Sequence, residues 1–183
     1  MSEIEGLLEA YARFVRQPWT RDLAGAEKVW FALYEPAQER RLRFRITEFE
    51  VATRSAGHGW VHVDLTDSFA QWMAQHEYRE AYFQQPKMLS LALAKFETSV
   101  IESVRNSLEA PTADENCVVA VSGVASLFGL MQVSELCKAV SSSIRGRLLV
   151  FFPGHRDGNI YRLLDARDGW NYLAVPISAT DRT

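Results

Sequence analysis

A chain of 183 residues that is 48% hydrophobic and 23% charged has the composition of a folded globular protein rather than a disordered one. Its length suits a single domain, residues 1–183, with a sizeable core. The formal net charge of −3 excludes a strong overall pull toward nucleic acid or an anionic membrane, while leaving room for a local basic patch.

Ile4, Leu7, Leu8, Tyr11, Phe14 and Val15 recur at helical spacing, which predicts an amphipathic helix over 3–16 that Pro18 stops. Glu3, Glu5 and Glu9 are not the positive region of a secretory leader. Residues 17–26 read as a loop containing Trp19 and Gly25. Lys28–Tyr34 is a strand candidate, and Pro36 opens a helix at its first turn. That helix runs to Ser55 with Gly57 beyond its end, and Leu42, Ile46, Phe49 and Thr53 share its inner face. Its start carries Arg40, Arg41, Arg43 and Arg45. They read either as a nucleic-acid or phosphate patch or as a solvated face paired with Glu39, Glu48 and Glu50 at helical distances.

Trp60–Leu65 alternates into a strand, with Asp67 as N-cap of a helix that begins at Ser68 and continues toward Phe83. Gln84-Gln85-Pro86 breaks it. Leu89, Leu93, Phe96, Val100, Val104 and Leu108 then mark a second helix, with Leu91 and Ile101 widening its stripe. Val118–Ser122 is a β-branched run of the kind buried on both faces of a sheet. A loop from Gly123 to Gly129 follows, then a helix with Val133, Leu136, Cys137 and Val140 on one side, then the apolar run Arg147–Phe152 closed by Pro153-Gly154. Strand, helix and strand in this order make a βαβ unit. Asn116–Ser134 is uncharged over roughly membrane-spanning length. Its glycines, serines, asparagine and glutamine, and its split into a strand and a helix, read against a membrane helix. His155-Arg156-Asp157-Gly158 is a polar turn. The strand-like runs on either side of Asp168-Gly169 predict an appended hairpin over 159–177, and Pro176 places the last strand at an edge. The expected fold is therefore α/β: a mainly parallel sheet with helices on both faces and a C-terminal β-hairpin, compatible with a P-loop-like topology.

Chemistry has few footholds. The Gly123–Gly129 loop sits where a phosphate loop would. Its glycines have the wrong spacing and no lysine follows, so neither the nucleotide pattern nor a dinucleotide fingerprint is present. Ser122 and Ser126 lack the Gly-x-Ser-x-Gly context of a nucleophile elbow. His58 and His62 are separated by a glycine turn, His62 faces away from Val61 and Val63, and no histidine stands at ligand spacing from Cys117 or Cys137. Both cysteines read as buried thiols of a reducing cytoplasm. Asp64 and Asp67 lie where α/β folds place ligands, but capping accounts for Asp67. No cofactor, metal or catalytic residue is expected. His155, Arg156, Asp157, Asn159 and Arg162 form the most polar cluster at the sheet's carboxyl edge, readable as a turn or as a partner-binding surface. Trp170 and Tyr172 are either interface anchors or core.

Several segments carry a resemblance that spans nearly the whole chain in order. They are Asp64–Thr66, Tyr78–Phe83, Gly123–Leu127, Val133-Ser134-Glu135-Leu136 and Phe151–Gly154 with Asp157-Gly158-Asn159, Leu163 and Trp170-Asn171-Tyr172. In these the sequence resembles the BrxB proteins, small components of bacterial BREX phage-defence systems. The resemblance implies a setting beside a DNA methyltransferase, a large ATPase and PglZ, a member of the alkaline-phosphatase superfamily. It implies a non-enzymatic interaction or scaffold subunit, with a PglZ-type protein as leading partner and other BREX components as further partners, while the N-terminal and 116–134 patterns read as those of a cytoplasmic chain with no membrane. The alternative is a nucleic-acid-binding subunit using Arg40, Arg41, Arg43 and Arg45.

Overall fold

The computed structural model describes residues 2–164, 166–170 and 173–180, the side chains of 167–170 excepted. Three strands are continuous apolar runs and are buried along their length: β1 (Val29–Tyr34), β3 (Cys117–Ser122) and the first part of β4 (Arg147–Asp157). With β2 (Gly59–Asp64) and β7 (Val175–Ile177) they form a parallel sheet in the order β2-β3-β4-β1-β7. Such strands must be covered on both faces, and they are. Trp30, Ala32, Tyr34, Val118, Ala120, Leu149 and Phe151 point to one side, against helices α1 (Glu3–Val15) and α2 (Glu39–Ser55). Val29, Phe31, Leu33, Val119, Val121, Leu148, Val150 and Phe152 point to the other, against α5 (Leu93–Glu109) and α6 (Val133–Val140). No described helix is long and apolar enough to cross a membrane.

Local chemistry sets the element ends. Ser2 and Glu5 form a reciprocal capping box at the start of α1, satisfying two otherwise orphan N–H groups. Gly57, at φ +87°, ends α2 in the left-handed region open to glycine. Arg147, at the amino end of β4, is only 5% exposed. It donates to Thr20 O (2.9 Å) and Gly146 O (2.9 Å), and its guanidinium lies over Trp19 and Trp30. This ties the 17–26 loop to the sheet.

Four expectations need correction. The helix from Ser68 does not reach Phe83: α3 (Ser68–Gln75) ends at His76, which is extended, and a short α4 (Arg79–Gln84) follows. The next helix begins at Leu93, because Pro86–Leu91 forms a 3-10 turn. Asp67 stands at the N-cap of α3 without a capping bond from its carboxylate, and the turn is closed through Leu65 O by the backbone N–H and the hydroxyl of Ser68. Last, the hairpin does not turn at Asp168-Gly169. Its strands are β5 (Ile160–Leu163) and β6 (Ala166–Trp170), with Tyr161 opposite Gly169. Leu164, at φ +50°, takes the turn conformation instead. The last strand, β7, leaves the hairpin altogether and pairs with β1 at the edge of the sheet, as the proline in it requires.

Candidate interaction surface and the carboxyl edge

The connection after β1 crosses one face of the sheet through α2, and the connection after β4 leaves on the other, beside Tyr161 and Leu163. The carboxyl ends of β1 and β4 therefore form a topological switch point, where open α/β sheets place ligands. A cleft of about 490 Å³ lies there, bordered by Glu3, Tyr34, Glu35, His155, Arg156 and Ser178. Its chemistry is not that of a phosphate cradle. The segment after β1 is Glu35-Pro36-Ala37-Gln38, without glycine and with one residue that has no N–H. The backbone N–H of Glu35 is already bonded to Glu3 Oε1 at 2.8 Å. Tyr34 OH donates to Glu39 Oε2, and burial with that partner raises the phenol far above its usual range.

At the ends of β2 and β3 the chain clasps itself. Gly123 takes φ +75°, and a Cβ on it would come 2.5 Å from Thr66 N and Oγ1 and 2.8 Å from Asp64 Oδ1. Ser126 Oγ donates to Leu65 O (2.8 Å), and Leu65 N donates to Ser122 O (2.9 Å). Asp64 Oδ1 accepts from Thr66 N and Oγ1. Burial pushes the Asp64 carboxyl up, but the Thr66 bonds and the charge of Arg43 outweigh it and hold it below its ordinary value. The apolar loop is thus a structural joint, its central residues Val124 and Leu127 buried within a 3-10 turn. His62 Nε2 and Ser122 Oγ stand 2.9 Å apart, a pairing across two strands that the sequence spacing does not reveal. Burial lowers the imidazole's pKa against the pull of Asp64 and Glu50. Ser122 is buried, and among the described residues no carboxylate bonds the other ring nitrogen of His62. The orienting third member of a nucleophile–base–acid set is therefore not in place. Cys117 and Cys137 are buried and form no disulfide, and no cluster of metal-ligating side chains occurs among the described residues.

The polar cluster is a strand pair rather than a turn: His155, Arg156 and Asp157 continue β4, opposite Arg162, Tyr161 and Ile160 of β5. His155, Asp157 and Arg162 share one face, where Arg162 Nε and Asp157 Oδ2 are 3.6 Å apart. Arg156 lies on the other, over the ring of Tyr161 and bonded to Asn159 Oδ1. Trp170 pairs through its backbone with Ile160. The Trp170 side chain and Tyr172 lie outside the described residues.

The arginines of α2 divide. Arg43 is held by Glu39 (3.0 Å) and Thr66, and Arg45 by Glu48 (2.7 Å) and Glu5 (3.1 Å). Arg40 and Arg41 form no ion pair among the described residues.

The largest departure from an ordinary surface lies elsewhere. Phe69 and Trp72 of α3 pack on Phe96, but the arm beyond them turns its apolar side chains outward. Tyr78 is 59%, Phe83 63%, Met88 42% and Leu91 81% exposed. Continued helical periodicity predicts burial for Phe83, eleven positions beyond Trp72, and the stripe that starts at Leu89 extends to Leu91. The break at His76 and the 3-10 turn over Pro86–Leu91 take both off the core, whereas Tyr78, six positions beyond Trp72, falls outside the repeat.

Compared with protein-family models, with curated proteins and with solved structures, the chain matches none.

Proposed function

We propose that the protein is a non-enzymatic interaction subunit of a BREX-type phage-defence complex, and that its leading partner is a PglZ-type protein of the alkaline-phosphatase superfamily. One observation carries the interaction reading: four large apolar side chains stand outward between residues 78 and 91. Concentrated apolar exposure of this kind marks a binding surface. The choice of partner rests on the resemblance to BrxB proteins. Two segments of that resemblance, Asp64–Thr66 and Gly123–Leu127, hold each other at the carboxyl edge and serve the fold. A third, Tyr78–Phe83, turns Tyr78 and Phe83 outward, and contact with a partner gives them a role.

Light scattering behind a sizing column tests the pair, with this chain alone and mixed with the PglZ-type protein of the same source. The expected result is a joint peak that Phe83→Glu and Leu91→Glu each abolish without lowering the melting temperature. Separate peaks for the wild-type proteins overturn the pairing. A nucleic-acid surface across Arg40, Arg41, Arg43 and Arg45 is the weaker reading, since carboxylates already engage two of the four. Its mark is binding that falls steeply with salt and is lost in Arg40→Glu and Arg41→Glu.

A further inference from the structure

Helix α2 turns Leu42, Phe49 and Thr53 inward. A surface helix then normally shows a polar outer face, and here two large apolar side chains interrupt it. Phe44 is 76% exposed and Val51 58%. Seven positions apart, they lie two turns from each other on one line down the helix. Of the charges that flank Phe44 at helical spacing, Glu48 is paired with Arg45, which leaves Arg40 and Arg41 as the basic pair without a carboxylate among the described residues. Arg40 places its guanidinium 5.9 Å from the ring centroid, and Arg41 bonds only to the neutral Gln38 Oε1, at 3.3 Å. On a chain of net charge −3, this is a local basic spot beside an apolar ridge.

We propose that the outer stripe of α2 is a second docking surface, and that its occupant is an acidic amphipathic helix of another protein. Two apolar residues spaced by two turns match the ridge-and-groove packing of a helix against a helix. Arg40 and Arg41, free of internal carboxylates, match acidic side chains beside the occupant's apolar stripe. A nucleic-acid strand fits less well, because the unpaired arginines sit at one end of the stripe only, Phe44 and Val51 form an apolar ridge that a phosphate backbone does not use, and Glu48 and Glu50 are already paired with Arg45 and Arg54. Helix α2 covers the face of the sheet opposite to α5, so this surface and the 78–91 arm can be occupied together. A chain with both would bridge two proteins. The two surfaces share no residue, and the failure of one leaves the other standing.

Fluorescence anisotropy of labelled synthetic helices on the full chain tests the proposal. One peptide carries leucines two turns apart with glutamates around them, a second has lysines in place of the glutamates, and oligothymidylate is the nucleic-acid control. The acidic peptide should bind, more weakly at high salt. Phe44→Glu and the double variant Arg40→Glu/Arg41→Glu should each weaken it by about tenfold or more, the loss of a central anchor, while Phe83→Glu leaves it unchanged. Unaltered melting of the variants shows that folding is not the cause. No binding of the acidic peptide, or equal binding of both peptides, overturns the proposal. Oligothymidylate binding lost in the arginine variant assigns the stripe to nucleic acid instead. A concentration-dependent dimer lost in Phe44→Glu assigns it to a second copy.

Discussion

The carboxylate of Glu3 accepts a hydrogen bond from the backbone N–H of Glu35 at 2.8 Å. The first helix thereby closes the end of β1, filling with its own negative charge the place where a parallel sheet offers an N–H to an anionic ligand. Glu3→Ala should cost about 1 kcal/mol, a fall in melting temperature of about 2–4 °C for a chain of this size. Glu3→Gln, which keeps an acceptor oxygen, should restore most of it. If Glu9→Ala, on the exposed side of the same helix, costs as much, the closure contributes nothing. ATP with magnesium should leave the wild-type melting temperature unmoved.

Gly123 is predicted to be the least replaceable residue of the apolar loop. An added Cβ would sit 2.5 Å from the Thr66 backbone nitrogen, at φ +75°. Gly123→Ala combines a steric collision with backbone strain, and a loss of about 1–3 kcal/mol follows. Gly129 also has a positive φ, but open space around its Cβ position, so Gly129→Ala should cost less. Urea midpoints measured side by side give the ranking, and equal costs would remove the clasp from the explanation.

Tyr11 and Thr53 form a buried pair whose proton order can be derived. Thr53 Oγ1 donates to Phe49 O at 2.8 Å, so Tyr11 OH donates to Thr53 across 2.6 Å. Thr53→Val strands the phenol in the core at about 1–3 kcal/mol. Adding Tyr11→Phe removes the stranded group, and the double variant should be more stable than Thr53→Val alone. Strict additivity in that cycle would show that the two residues do not interact.

Stability should decline in alkali through Cys117. Burial pushes this thiol from 9.0 to about 11. Between those values the unfolded chain has lost the proton that the folded chain keeps, so the free energy of unfolding falls as pH rises. Burial of Tyr11, whose phenol is raised further, extends the decline upward. Melting curves from neutrality to about pH 11 should be flatter in Cys117→Ala. An identical slope would assign the decline to other groups.

The buried strands were legible because β1, residues 117–121 of β3 and residues 148–152 of β4 are short unbroken apolar runs, and their length, β-branched content and flanking glycine and proline favour strands over a buried helix. Helices α1 and α6 were legible from spacing alone. What misled was local chemistry overridden at long range. Asp168-Gly169 is a sound turn pair, yet it lies inside β6, because the chain must return Val175–Ile177 to the far side of β1. The surface was less legible than the core. Periodicity already puts Phe44 off the face of Leu42, Ile46 and Phe49, whereas Phe83 and Leu91 resemble core residues until the backbone is traced. The His62–Ser122 contact joins strands sixty residues apart, and nothing in either neighbourhood announces it.

Strand β4 changes partners along one unbroken run, with β3 beside its first part throughout. Leu148 to Pro153 pair with β1, and Gly154 to Asp157 pair with β5. No loop separates these stretches, so the hairpin is a cantilever fixed in the middle of the sheet rather than a flap tethered to its rim. A load applied at Asp157 or Asn159 would be carried as bending along β4 to Arg147 and the Trp19 loop at the opposite end, and the protein would respond to being gripped there as a single stiff body.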